Sequence, residues 1–278
     1  MRVINLVEDT PGADGCTPAH GLAFYIETKR HRLLMDAGPG DVTALNADAL
    51  GVDLTRVDTV VLSHGHYDHA DGLPAIARRC PGAAVYLRRA AGMRHYSDDG
   101  ASGMRYIGVA SGVLSLPGLV YVDGTLRIDD ELTLFGDITG RRYWPQANLR
   151  LRRCADGEYV QDGFDHEQCL ILTESGRRVL LSGCAHSGIL NILERYREVF
   201  GGAPDVVVSG FHMMKKGEYA PRELETIRET ATALATYPAR FLTCHCTGIP
   251  AFQMMKQIMG DQLDYIHCGQ EVPLDRKT

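Results

Sequence analysis

Residues 63–73 read Ser-His-Gly-His-Tyr-Asp-His-Ala-Asp-Gly-Leu, directly after the apolar run Val57 to Leu62 and directly before helical sequence. Three histidines and an aspartate within six positions supply imidazole and carboxylate ligands suited to zinc, iron or manganese. In an extended segment side chains alternate, so His64 and His66 project to the same side. Asp68 and His69 fall where the chain turns into the helix, and there they can face a second metal beside the first. The bland reading is a solvated His-rich turn, but the H-x-H-x-D-H spacing is more specific than most short motifs.

Around this segment the chain reads as α/β. Short runs rich in Val, Ile and Leu predict strands at Val3 to Val7, Leu22 to Glu27, Arg32 to Asp36, Asp58 to Leu62, Ala84 to Leu87, Leu132 to Phe135, Cys169 to Leu172, Arg178 to Leu181, Val206 to Val208 and Arg240 to Thr243. Helices are expected from Ala70 onward. Good ones start at Ser187, closed by Gly201 and Gly202, at Pro221, stopped by Pro238, and at Pro250, ending before Gly260. The rhythm of hairpins followed by strand-helix units, met twice, suggests two similar halves with helices outside two sheets. The stretch from Arg88 to Leu116 lacks periodicity and reads as an insertion or lid, with a pair of surface helices as the alternative.

Composition excludes several classes. With 29 Lys+Arg against 35 Asp+Glu the formal net charge is −6, so a surface that tracks phosphate backbones is not expected. The 45% hydrophobic and 23% charged residues are ordinary globular values and rule out a disordered chain. No apolar run approaches the roughly 18 residues of a membrane span. The opening MRVINLVEDTPG lacks a signal peptide's apolar stretch, and the 8 cysteines show no CxxC pair, so a cytoplasmic location is expected.

The segment SHGHYDHADGL resembles the HxHxDH signature of the metallo-β-lactamase superfamily. LLMDAGPG, with Asp36, is similar to that superfamily's first motif, whose aspartate supports the metal-binding loop from behind the ligands. LLSGC, ending at Cys184, resembles the motif that supplies a metal-bridging residue, and LTCHCTG, with His245, resembles the last histidine motif of the second metal site. PAHGLAFYIET, SGCAHSGILNIL, SGFHM and CHCTG occur in an order similar to the narrower group of dihydropterin-aminobenzene-phosphate synthase-like hydrolases. The resemblance runs from about residue 3 to 270 and implies a single domain over 1–278, an αββα sandwich of two mixed sheets flanked by helices.

It also implies a ligand set. His64, His66 and a third histidine would hold one metal, and Asp68, His69 and His245 the second, with Cys184 near or between them. His166, 18 residues before Cys184, has the superfamily's spacing for the third histidine, whereas the narrower group's pattern favours His186. His186 is taken as the ligand, with His166 close by.

Other residues divide between chemistry and packing. His212, at the same kind of strand end, is expected to contact substrate or transfer a proton, and His20 either lines the site or makes loop hydrogen bonds. Cys244 and Cys246 flank His245 and are expected to point away from it as core filling. His31, His95 and His267 read as structural or surface residues. Arg94, Tyr96, Arg105, Tyr106, Tyr143 and Trp144 can hold an aromatic or phosphorylated substrate, but each alone reads better as packing or surface.

The expected activity is a hydrolase using a metal-bound hydroxide on a small molecule: a phosphate ester, cyclic phosphodiester or pterin-like compound. Two divalent ions are expected, zinc first and manganese or iron as alternatives, with Asp68 orienting the nucleophile. Partners are a small-molecule substrate and no nucleic acid or membrane, with a homodimer left open. The alternative is an iron-dependent oxidoreductase of the same fold. Its diiron flavoprotein form is disfavoured because His66 stands where those proteins carry a glutamate. A metal-bound binding protein without turnover is the third class.

Overall fold

A computed structural model of the chain describes residues 1–274. In chain order the first strands are β1 (Arg2–Val7), β2 (Ala23–Glu27), β3 (Arg32–Met35), β4 (Thr59–Val61), β5 (Ala84–Arg88), β6 (Arg94–Asp98), β7 (Met104–Tyr106) and β8 (Leu119–Val122). Then come β9 (Thr125–Arg127), β10 (Leu132–Phe135), β11 (Leu151–Ala155), β12 (Glu158–Gln161), β13 (Cys169–Glu174), β14 (Arg177–Leu181), β15 (Val206–Ser209), β16 (Arg240–Thr243) and β17 (Leu263–Tyr265). The helices are α1 (Val42–Ala49), α2 (Tyr67–Ala70), α3 (Leu73–Arg79), α4 (Ile189–Phe200), α5 (Pro221–Leu234) and α6 (Ile249–Met259).

Two mixed sheets form the body. One has the order β1-β2-β3-β4-β5-β8 and the other β17-β16-β15-β14-β13-β10-β9. Each begins antiparallel and turns parallel, at β3 and β4 in the first and at β14 and β15 in the second. Their strands alternate as a two-sided sheet requires. Phe24, Ile26, Leu33 and Met35 face the other sheet's Leu134, Leu170, Leu172 and Leu181, while Tyr25, Leu34 and Val60 face the outer helices' cluster with Ala44, Ala47 and Ile76. On the far side Ile192, Leu193, Tyr196, Ile227 and Met255 cover the second sheet. The result is the expected helix-sheet-sheet-helix stack, and all ten expected strands are present within a residue or two of their anticipated ends.

Helices begin earlier than Ala70, however. The α1 sequence VTALNADA has only small residues on its buried side, so its amphipathic signal is weak. It docks through Ala44, Ala47 and a buried Asn46, whose amide nitrogen donates to the carbonyls of Leu6 and Thr17. The stretch from Arg88 to Leu116 forms strands and short turns instead of helices, and pairs with β11 and β12 as a small sheet, β12-β11-β6-β7. That sheet is tied to the histidine segment, since the Tyr67 amide donates to the Ile107 carbonyl at 2.9 Å. Among the described residues no helix is long and apolar enough to cross a membrane.

Candidate metal centre

The candidate ligands sit where strands of both sheets end. His64, His66, Asp68 and His69 follow β4, Cys184 and His186 follow β14, His212 follows β15 and His245 follows β16, all within one cavity wall or directly behind it. Asp36, Ala185, His212 and His245 all hold left-handed backbone, with φ of 62°, 52°, 50° and 47°. Such residues cost on the order of 1–3 kcal/mol each and gather where function fixes the backbone. Gly65 has a different reason to be glycine: a Cβ there would lie 2.4 Å from the Ala91 carbonyl oxygen, so the loop could not lie this close to the Arg89–Gly92 turn that precedes β6.

The Nδ1 atoms of His64, His69, His186 and His245 are each tied down. Asp36 accepts from the Ser63 amide at 2.7 Å, the Ser63 hydroxyl at 2.7 Å and His69 Nδ1 at 2.7 Å. With its own proton given to Asp36, Ser63 Oγ accepts from His64 Nδ1 at 2.9 Å. His186 Nδ1 donates to Asn148 Oδ1 at 3.0 Å, and His245 Nδ1 faces Asp9 Oδ2. Such partners fix the tautomer and leave Nε2 pointing inward.

Burial, reinforced by neighbouring rings, holds His64 and His186 well below the ordinary histidine range, so each is neutral with its one proton on Nδ1. Their bare Nε2 atoms face one another at 3.3 Å, a contact with no proton in it. Ligand nitrogens at 2.0–2.1 Å around a tetrahedral ion are about 3.3 Å apart, so this pair fits a metal and is unfavourable without one. His66, buried with Nε2 unpartnered, completes a three-nitrogen group with donor atoms within 4.8 Å of one another.

The second group is anionic. Burial would raise the Asp68 pKa, but the charge of His69 and the hydrogen bond from His245 outweigh it and hold the carboxyl well below the carboxylate range. Asp68 Oδ2 lies 3.4 Å from His245 Nε2 and 3.8 Å from His69 Nε2, and His69 Nε2 is 3.2 Å from Cys184 Sγ. Burial disfavours charge on both rings, yet the flanking carboxylates raise both above the ordinary value. Both carboxylates thus favour the protonated form of these rings, and a bound cation would compete with that proton.

His166 is beside the centre but turned from it. Its Nδ1 accepts from the Gly65 amide at 2.9 Å, which puts its proton on Nε2, 3.4 Å from Asp162 Oδ2. His186 shares a donor group with His64 and His66, whereas His166 groups with His66, His95 and Asp162 on the other side of His66. His95 is buried against the same Asp162 at 2.7 Å, in keeping with a structural residue.

His212 packs its ring 4.1 Å from His186 and has both nitrogens buried without partners. His20 does both things considered for it: Nδ1 pairs with Asp9 at 2.7 Å and Nε2 lies 3.6 Å from Asp68 Oδ2 at the cavity wall. Cys244 is core filling between the sheets, as expected. Cys246 is not, and its side chain lines the cavity. His245–Thr247 is a tight helical turn, so residues 244 and 246 do not share one face as they would in a strand.

Several supporting residues had no local signal. Asp9, Asn148 and Glu167 lie far from the motifs in sequence, and Glu167 accepts from the amides of His186 at 2.7 Å and Ser187 at 2.9 Å. Of the speculative substrate residues, Arg105 lines the cavity with Arg150, whereas Tyr96 is buried against Tyr106 and Tyr159. A larger groove beside Arg142, Tyr143, Arg197 and Arg228 lies away from every donor cluster.

The sequence model of the metallo-beta-lactamase superfamily matches residues 16–148. An uncharacterized protein of Methanocaldococcus jannaschii is 27% identical, covering 90% of this chain and 92% of its own. The same organism's 7,8-dihydropterin-6-methyl-4-(beta-D-ribofuranosyl)-aminobenzene-5'-phosphate synthase is 23% identical, covering 97% and 95%. Zn(2+)-bound PqqB from Methylobacterium extorquens, at TM-score 0.58 and 12% identity over 98% of this chain and 99% of its own, shares the fold. A crystal structure of a metal-dependent hydrolase of the beta-lactamase superfamily superposes with TM-score 0.81 at 30% identity, covering 98% of each chain. Identity of that level, sustained from end to end, is common descent as well as common shape, and the chain belongs to the metallo-beta-lactamase superfamily.

Proposed function

We propose that this chain is a metal-dependent hydrolase of a small anionic substrate. The observation that carries the reading is one cavity holding two adjacent donor groups, neutral His64, His66 and His186 beside Asp68, His69, His245 and Cys184, with the guanidinium residues Arg105 and Arg150 in its lining. Nitrogen, carboxylate and sulfur donors suit zinc first, with iron and manganese as alternatives. When bound, such ions supply Lewis acidity and lower the pKa of a water to about 7.

The chain's own residues do the rest. Asp68, ionised at neutral pH, accepts a hydrogen bond from the attacking water and orients it. His212, with two unpartnered nitrogens, holds a proton for the leaving group. Arg105, braced by Asp99 at 2.7 Å, and Arg150 bind the substrate's anion. A phosphate ester or cyclic phosphodiester meets these requirements, and a relative named for a phosphate-bearing pterin product supports that class.

The test is metal content of the purified protein, followed by hydrolysis of phosphate monoesters, cyclic phosphodiesters and lactones. Arg150→Ala is expected to raise KM for the anionic substrates about tenfold with kcat little changed. His212→Gln is expected to lower kcat by about 10²-fold or more. Protein that is loaded with metal but hydrolyses nothing, and that consumes oxygen with iron bound, would overturn the reading in favour of an oxidoreductase.

A further inference from the structure

We propose that Cys246 is a second sulfur ligand, beside Cys184, at the metal position faced by Asp68, His69 and His245. This deepens the metal-centre reading above and rests on it. The sulfurs of Cys184 and Cys246 and a ring nitrogen of His245 all lie within 4.8 Å of one another, and all three residues are buried.

Two features hold the Cys246 thiol in that place. Its carbonyl accepts from the amides of Met213 at 2.8 Å and Met214 at 2.7 Å, so the turn that bears it is fixed. The end of the neighbouring parallel strand β15 makes room for the sulfur: a Cβ on Gly210 would lie 2.4 Å from Cys246 Sγ, closer than any side chain could sit. The sulfur accepts from the His212 amide at 3.3 Å and points toward the Cys184 carbonyl at 3.6 Å, so it lies between two residues of the cavity wall.

The chemical consequence is selectivity. A carboxylate, two imidazoles and one sulfur accept manganese as well as zinc, whereas a second thiolate favours thiophilic ions such as zinc, cobalt, cadmium and ferrous iron over magnesium and manganese. Each thiol gives up its proton when the sulfur–metal bond forms, so loading this position releases one proton per cysteine.

The test uses cobalt as a coloured substitute in the reduced, metal-stripped protein. The sulfur-to-cobalt charge-transfer band is expected to fall to about half its intensity in Cys184→Ser and, equally, in Cys246→Ser, and to stay unchanged in Cys244→Ala, whose sulfur lies between the sheets. A band at full height in Cys246→Ser overturns the proposal. Should that variant not fold, cadmium NMR of the unmodified chain decides, because a two-sulfur site resonates well downfield of a one-sulfur site and a one-sulfur shift overturns the proposal. Failure to take up cobalt at all refutes the metal centre itself. An intact two-sulfur signal with no hydrolytic activity refutes only the hydrolase reading.

Discussion

Asp36 accepts three hydrogen bonds, two from Ser63 and one from His69, so one carboxylate fixes both the start and the end of the ligand-bearing loop. Asn at this position keeps one acceptor oxygen and turns an amide N–H toward groups that are themselves donors. Asp36→Asn is therefore expected to weaken metal affinity about 10–100-fold, measured by competition with a chromophoric chelator. Unchanged affinity would show that the loop is held by other contacts. The tautomers make a sharper prediction for the neighbouring histidines. His186→Gln removes an inward lone pair and is expected to lose one bound ion, whereas His166→Gln removes an acceptor for the Gly65 amide and is expected to keep both. Elemental analysis of the two variants separates these outcomes, and the reverse result would make His166 the ligand. At this scale four of the candidate ligands were legible because H-x-H-x-D-H places them in one short segment. Their supports were not, since Asp9 reaches His245 across 236 positions and Asn148 reaches His186 across 38. Cys246 was misplaced because a tight turn, not a strand, carries it.

His31 shows what a histidine outside the centre does for the elements it joins. It lies in the turn between β2 and β3, with Nδ1 2.9 Å from Asp58 just before β4 and Nε2 2.7 Å from Asp129 in the turn between β9 and β10. The ring thus clamps an end of one sheet to an end of the other. Burial disfavours its charge, but the hydrogen bonds it donates to Asp129 and Asp58 outweigh that and raise its pKa above the ordinary 6.5. A base with a raised folded pKa contributes stability that is fully present below its unfolded value and is lost as pH rises through the folded one. The melting temperature of His31→Gln is expected to fall furthest below wild type just under pH 6.5 and to approach it at higher pH. A difference independent of pH would refute the charged clamp. The same scale explains what sequence patterning could find. Central strands such as Leu33–Met35 and Val206–Val208 are buried on both faces and read as unbroken apolar runs. β7 and β12 are wholly exposed, and their sequences MRY and EYVQ carry no alternation to detect.

The whole molecule is organised around a seam. The loop after β4 belongs to one sheet, the ends of β14, β15 and β16 to the other, and the small sheet leans on the first through the bond between Tyr67 and Ile107. The two similar halves expected from the rhythm of the chain are visible as two sheets that each pass from antiparallel to parallel, and the donor groups sit where the two meet. Ions held by His64 and His186, or by Asp68 and His245, would therefore cross-link the sheets in the folded state only. By linkage, free metal at a thousandfold excess over Kd stabilises a folded chain by about 4 kcal/mol. For a domain of 278 residues that corresponds to a rise in Tm of about 7 °C. Calorimetry of the same preparation with excess zinc and with excess chelator is expected to show one cooperative transition in each, shifted by this amount. A transition that does not move would mean that no ion couples the sheets. Two separate transitions in chelator would mean that each half folds alone and that metal, not the apolar core between the sheets, makes them one unit. The continuous cluster of Phe24, Ile26, Leu134, Leu170 and Leu181 across that interface argues against the second result, because burying those side chains against each other already commits the halves to fold together.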